Sequence, residues 1–265
     1  MDLAGSGLCG SLPLVVAYAH DPLGLFRPFG RVSNHVVERA CVMPSAYATR
    51  ALQEITMEQY MTTAPVAFPF DARKAAQVAA FFLIKARDRD ASVTVLKLMK
   101  LMYLAERESY RQYAAPMIGD ALFSMPHGPV LSNTLNLINS TPDERQGGEQ
   151  WDELISERDG RYLYLRGDAP IQQTEDLLEL SEADLDILED VWGQFGSLSA
   201  LKLREYTHDP KHCPEWEDPD GSSLPISMET MLGSMGYTPE AVQRVCENLQ
   251  QVAFIQQRMH KNVVF

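Results

Sequence analysis

Sustained helical periodicity in this chain begins at Asp71. Before it, across residues 1–60, short apolar patches are interrupted by glycine and proline, and only SAYATRALQEITMEQY has the spacing of a short helix. A fresh start is predicted at Met61, where an extended lead runs into a helix capped by Asp71, with Ala75, Val78, Ala79, Phe82 and Leu83 on one stripe. The next helix is predicted from near Ser92. It is apolar almost all round at Val95, Leu98, Met99, Leu101, Met102 and Ala105, which places it at the centre of its domain, and Pro116 is read as its stop.

GDALFSMPHGPV holds too much glycine and proline for a helix, so Asp120–Met125 is expected as a short strand and Pro129 as the first turn of a helix carrying Val130, Leu131, Leu135 and Ile138. Residues 141–150 read as a loop. The Asp159-Gly160 dipeptide between ELISER and RYLYLRG predicts a two-residue hairpin turn, which sets Ile155 opposite Tyr164 and Leu154 opposite Leu165. A third helical block follows, capped by Ser181 and ended by Gly196, with Leu185, Leu188, Val191, Trp192 and Phe195 inward. A short helix capped by Ser197 or Ser199 and closed by Pro210 comes next, then an irregular acidic loop. A broken helix through SMETMLGSM and a long one started by Thr238 and Pro239 complete the chain. The expected class is mainly α (α+β), a helical domain over 61–265 with a small antiparallel hairpin or sheet. Residues 1–60 are an N-terminal extension, either an appendage from a start placed too far upstream or a small accessory module.

Composition changes this picture little, and charge changes it more. Of 265 residues, 45% are hydrophobic and 22% charged, which excludes a disordered or fibrous chain. The formal charge of -13 opposes binding of nucleic acid or anionic lipid through the surface as a whole. The deficit belongs to residues 141–265, with 25 acidic and 10 basic side chains, whereas residues 61–140 carry 9 basic and 6 acidic ones. An acidic face for a basic partner is one reading of that asymmetry, and a solvated surface is the other. Cys9, Cys41, Cys213 and Cys246 form no CxxC pair, so a reducing compartment, the cytoplasm, is expected. No apolar run reaches the length of a membrane span, and SLPLVVAYAH lacks the basic start of a secretion signal.

Candidate chemistry is sparse. The chain has no GxSxG, GxxxxGK, HExxH or dinucleotide fingerprint. His208, His212, Cys213, Asp209 and Glu215 are ligand types that suit zinc, but Pro210 keeps the two histidines from sharing a helix face, and no metal or other cofactor is expected. Cys213 with His208 or His127 has the composition of a nucleophile and base, against the plainer reading of a packed thiol. LEDVWGQFGSLSALKLREYTH has the outline of a helix-turn-helix, yet its second helix offers only Lys202 and Arg204 to DNA. Lys97 and Lys100 share one narrow polar face of an apolar helix, which marks either the solvent side or an anchor for a partner's acidic groups.

Three segments in order, KLMKLMYLAERESY, GDALFSMPHGPVLSNTLNLI and LSEADLDILEDVWGQFGSLSALKLREYTHD followed by Trp216, resemble the successive motifs of the SocA-like Panacea domain, also seen in phage-associated GepA-like proteins. The resemblance runs from about Lys74 to about Met235. It includes Lys97 to Leu101, Tyr103, Gly128 to Val130 and Thr207-His208-Asp209. It departs after Asp209, where His212 and Cys213 stand in a loop that the family often keeps smaller and more polar. The resemblance implies a mostly helical fold and an antitoxin that neutralises a cognate protein toxin by direct contact, the toxin being encoded next to it, or that delivers the toxin to a cytoplasmic protease. No catalysis is implied. Lys97, Lys100, Tyr103, Asp120, His127, Gly128, Pro129, Tyr206, His208, Asp209 and Trp216 are the toxin-binding candidates on these motifs. The rival expectations are an enzyme reversing a toxin's modification and a DNA-binding autoregulator, with contact to membrane and nucleic acid not expected.

Overall fold

The computed structural model describes residues 70–144 and 148–262. All of them lie in the second of the two units, 56–265, into which the chain divides. The expected extension over 1–60, its short helix, Cys9, Cys41 and the lead from Met61 lie outside the described residues.

Helix α1 spans Ala72–Arg87, with the Asp71 carboxylate accepting from Lys74 N at 3.0 Å as the cap. Its expected stripe is buried, and so are Ala76, Gln77, Ala80, Phe81 and Ile84, so the helix is enclosed on more than one side. Strand β1, Val93–Thr94, precedes α2, Val95–Tyr113. Thr94 caps α2, so the helix begins at Val95 rather than Ser92, because the Thr94 hydroxyl takes the Lys97 N–H only from an extended backbone. It ends before Pro116, at Ala114 in the left-handed region (φ 51°). Helix α2 is central, as its apolar composition predicts: Leu98, Leu101, Met102, Tyr103 and Ala105 have no exposed surface.

Strands β2, Leu122–Met125, and β3, Gly128–Leu131, form a tight antiparallel hairpin turning over Pro126 and His127, with Phe123 opposite Val130 and Ser124 opposite Pro129. The strand expected at Asp120–Met125 is there. The helix expected at Pro129 is not: Pro129 lies in β3, an edge strand of the order β3-β2-β5, where a residue without an N–H leaves no ladder partner unsatisfied. Helix α3 starts only at Ser132 and ends at Asn139.

The stretch read as a loop over 141–150 runs into helix α4, Glu149–Leu154, whose Trp151 and Leu154 are buried in the core. That helix consumes the start of ELISER, so the expected two-strand hairpin is reduced to bridges pairing Ile155 with Leu165 and Asp159 with Tyr162. The turn is Gly160-Arg161, with Gly160 at φ 59°, and not Asp159-Gly160. Strand β4, Tyr162–Leu163, instead pairs antiparallel with β1, Val93 facing Leu163. In that pairing Val93 and Leu163 are both buried, whereas the hairpin turn at Asp159 and Gly160 is exposed.

Helix α5, Glu182–Phe195, opens with a reciprocal capping box between Ser181 and Asp184 and ends at Gly196. Helix α6, Ala200–His208, is capped by Ser199. The loop after it holds the short strand β5, Leu224–Pro225, which pairs with β2. Helices α7, Met228–Ser234, and α8, Pro239–Asn262, finish the chain. Ion pairs Lys74–Asp184 (2.8 Å) and Lys85–Glu189 (2.7 Å) join α1 to the α5 region. Helix α2 packs against α1, α5, α6, α7 and β3, and the class is mainly α with small antiparallel sheets. Among the described residues no helix is long and apolar enough to cross a membrane.

Candidate functional site

The side chains of α2 at positions 100, 103 and 107 recur at helical spacing and face α6, the β2–β3 hairpin and the loop after α6. Lys100 has no exposed surface. Its Nζ donates to the Pro129 carbonyl at 2.6 Å, which ties α2 to the edge strand. Burial is the main reason its pKa falls to about 7; Arg204 lowers it further and Cys213 opposes the shift. Lys97, three residues earlier, is half-buried and donates to the Gly196 carbonyl at 2.7 Å, a cation at the C-terminal end of α5 where the helix dipole favours it. Neither lysine marks a solvent face.

Gly128 sits where these elements meet. Its φ of 93° is a left-handed value, and a Cβ on it would lie 2.7 Å from Lys100 Nζ and 2.9 Å from His208 Nε2 and Cδ2. Only glycine fits both the backbone and the space. Gly128→Ala is expected to lose roughly 2–4 kcal/mol of stability from strained backbone plus displacement of the His208 ring. Urea unfolding measures it, and a loss below about 1 kcal/mol would show that the contact is slack.

His208 stacks on Trp216 with centroids 4.1 Å apart and planes 12° from parallel. Trp216 Nε1 donates to the Met125 carbonyl at 3.2 Å, and Glu217 N donates to Ser124 Oγ, so the ring pair is fastened to β2. Burial, then the charges of Arg204 and Lys100, hold His208 below the usual imidazole range, and its buried Nε2 has no hydrogen-bond partner. Tyr206 stacks on His212 at 4.0 Å and meets the edge of Phe195 at 4.9 Å. Asp209 shapes the loop: its carbonyl accepts from the N–H groups of His212 and Cys213, and its carboxylate from that of Lys211.

Below this layer lies an ionic network in which Tyr103 and Glu215, read from the sequence as a contact candidate and a zinc-suited residue, join Arg107 and Ser234, which the sequence did not point to. Glu215, fully buried, accepts from Tyr103 Oη at 2.6 Å and Arg107 Nε at 2.7 Å, with Ser234 Oγ at 3.0 Å. Burial pushes its carboxyl up, but the bond and charge of Arg107 outweigh that and leave it below the ordinary carboxylate range. Glu106, one residue before Arg107, turns the other way. Its carboxylate takes the consecutive backbone N–H groups of Met117, Ile118 and Gly119 at 3.1, 2.8 and 3.1 Å. Asp120 accepts from Asn133 N, Thr134 N and Thr134 Oγ1, supplying the first turn of α3 with the cap that Leu131 cannot give.

The expected residues therefore separate into two sets. Lys100, Tyr103, Gly128, Pro129, His208 and Trp216 converge around the hairpin. Asp120 and Lys97 serve other joints. Lys100, Tyr103, Asp120, Gly128 and Pro129 are buried, whereas His127 at the hairpin tip is exposed and Lys97, Tyr206, His208, Asp209 and Trp216 are partly so. The zinc-suited residues are dispersed: His208 is against Trp216, His212 against Tyr206, and Glu215 is held by Arg107. Cys213 is buried and its thiol is pushed up to about 12, chiefly by burial and then by Glu215, the opposite of an activated nucleophile. Lys202 is exposed on α6, and Arg204 beside it is partly buried, its Nε closed from solvent and without a partner.

Lys100 carries a pH signature. Unfolded, it keeps its proton to about 10.5, whereas in the fold it releases it near 7. Wild-type stability should accordingly rise, relative to Lys100→Met, by up to about 1.4 kcal/mol per pH unit between these values. Urea unfolding of both proteins at pH 6.5, 8 and 9.5 checks the slope, and parallel curves would place Lys100 in a wetter site.

No curated protein and no solved structure matches the chain. Residues 98–217, which hold Lys100, Tyr103, the β2–β3 hairpin, α6 and the Glu215-Trp216 turn, match the family model described as antitoxin SocA-like, Panacea domain, and this part of the chain is similar to that family.

Proposed function

We propose that the protein is an antitoxin that neutralises a cognate protein toxin by binding it directly. The observation that supports this most is how the shared motifs are used. Lys100, Gly128, Pro129, His208 and Trp216 pack on one another, building a hairpin platform with His127 exposed at its tip. A fixed surface of this kind suits tight association, because little conformational freedom is lost on binding. An interface of ordinary size, roughly 1,600 Å² in total, inhibits without chemistry if its centre is well packed.

The acidic stretch 141–265 contributes at longer range. On α5 alone Glu182, Asp186, Glu189 and Asp190 are exposed, and such a field speeds the approach of a basic toxin and rejects wrong partners. Co-expression with the product of the adjacent reading frame tests the reading. The expected result is rescue of growth and a complex that copurifies. Rescue with falling toxin levels that depends on a host protease would instead make the protein an adaptor, and rescue accompanied by covalent change in the toxin without a complex would make it an enzyme. A neighbour that is harmless alone, or still toxic beside this protein, removes the reading altogether.

A further inference from the structure

On the outer side of the hairpin platform an apolar groove of about 510 Å³ runs between the start of α2, β2–β3 and the start of α6. Val95, Met99, Met125, Val130, Leu135 and Leu201 line it. Its floor is core: Met99 and Val130 are 2% and 7% exposed, while Leu201, on the wall, is 64% exposed. A leucine held open to water beside a ready apolar trough is a cost unless something covers it. Two methionines in the lining make that trough adaptable to the shape of what enters.

The rim carries the second clue. Arg158 and Arg161, from the turn before β4, border the groove. Arg158 donates to the Gly160 carbonyl and the Asn139 side chain, and Arg161 to the Tyr162 hydroxyl, all neutral acceptors. Neither forms an ion pair among the described residues. In a chain of net charge -13, two guanidinium groups without carboxylate partners among the described residues line the edge of an apolar trough that no Asp or Glu lines, although Glu157 and Asp159 flank Arg158 along the chain. A drug-like ligand would need polar groups converging inside the groove to orient it, and here the polar groups stand at the rim. A protein segment with apolar side chains flanked by carboxylates matches both features, since it fills the trough and meets the arginines through charge-assisted bonds.

We infer that this groove is the docking site for an apolar segment of the toxin bordered by Asp or Glu side chains, with Leu201 as the wall contact and Arg158 and Arg161 as the charge clamps. The inference rests on the antitoxin reading and deepens it. Long-range attraction and local contact then have opposite signs: the acidic surface draws in a basic toxin, and the groove selects the one acidic, apolar segment on it.

The test uses the full chain and the toxin that the wild-type protein rescues. Binding is measured by calorimetry for wild type, Leu201→Glu and the double variant Arg158→Glu/Arg161→Glu, each checked for an unchanged melting temperature. The expected result is at least a tenfold weaker Kd for both variants, with loss of rescue. Charge reversal on α5, Glu182→Lys/Asp186→Lys, is expected to slow association and leave dissociation unaltered. Variants that bind within twofold of wild type overturn the groove assignment and leave the antitoxin reading standing. A wild-type chain that neither binds nor rescues removes that reading, and this inference with it. A wild-type dimer that Leu201→Glu dissociates, with toxin binding intact, gives the groove to a second copy of the chain and also overturns the assignment.

Discussion

Glu106→Ala is expected to destabilise the protein by about 3–5 kcal/mol, enough to unfold much of a marginally stable domain at 37 °C. Glu106 has no exposed surface and no ion pair among the described residues; three consecutive backbone N–H groups, those of Met117, Ile118 and Gly119, converge on its two oxygens. Such a run of N–H groups is an anion cradle, here filled by the protein's own carboxylate. Alanine leaves all three donors unpaired, two of them on the buried residues Met117 and Ile118, and opens a cavity beneath the turn that leads α2 into β2. The site would feel the loss, because that turn sets the start of the hairpin carrying Gly128 and Pro129.

The same residue predicts a pH dependence. Burial raises its pKa to about 7 against the pull of the three N–H groups. Between about 4.5 and 7 the folded protein therefore holds a proton that the unfolded chain has released. Stability supplied by that proton is complete below about 4.5 and is lost as pH rises through 7. Glu106→Gln keeps the shape and one carbonyl acceptor, so it is expected to cost less than alanine and to lack this fall. Urea unfolding of the three proteins at pH 4.5, 6 and 7.5 measures both effects. An alanine variant within about 1 kcal/mol of wild type would mean that water reaches the cradle.

What was legible in the sequence was what is local. Asp71, Ser181 and Ser199 cap helices where their neighbours say they should, because a cap is settled within four residues. The central place of α2 followed from apolar side chains on every face. Long-range partners were not legible. Lys100 looks like a solvent marker until a carbonyl 29 residues later is laid over it, and Arg107 finds its acid 108 residues away. Pro129 reads as a helix start by local rule and became an edge-strand residue because β2 offered it a partner. One signal was present and unused: at 3.6 residues per turn Glu106 lies roughly 100–180° round α2 from Lys97, Lys100 and Arg107, so the four could not all share one wet face. Such a helix has to bury several of its charges, and buried charges need partners. The groove, by contrast, gathers side chains from α2, the hairpin, α3, the β4 turn and α6, and no window of the sequence shows them together.

Arg107→Ala is the second large effect, and its signature is an inverted pH slope. Arg107 is the only cation bonded to Glu215 among the described residues, and Glu215 is closed from solvent with Tyr103 and Ser234 as its other partners. Two hydroxyls do not offset the desolvation of a carboxylate. Removing the arginine should therefore cost about 3–5 kcal/mol at neutral pH, mostly as the penalty of a buried charge left alone. In wild type, Arg107 holds the Glu215 carboxyl below its ordinary value, so the stability it contributes is present above about 4.5 and lost as pH falls through the lower folded pKa. In the variant burial, the largest influence on that pKa, is opposed only by hydrogen bonds such as that from Tyr103, so the pKa is expected to rise above 4.5 and stability to fall as pH rises instead. The variant should be closest to wild type in acid and furthest from it above neutrality. Replacing both partners with apolar residues, Arg107→Met with Glu215→Leu, removes the stranded charge and is expected to recover at least half of the loss, whereas additive costs would show that the two side chains act separately. The double variant also separates stability from recognition. Glu215 adjoins Trp216, whose indole holds His208 against the hairpin, so a chain that recovers stability and still fails to bind its toxin would show that the network's role is to fix the platform's shape.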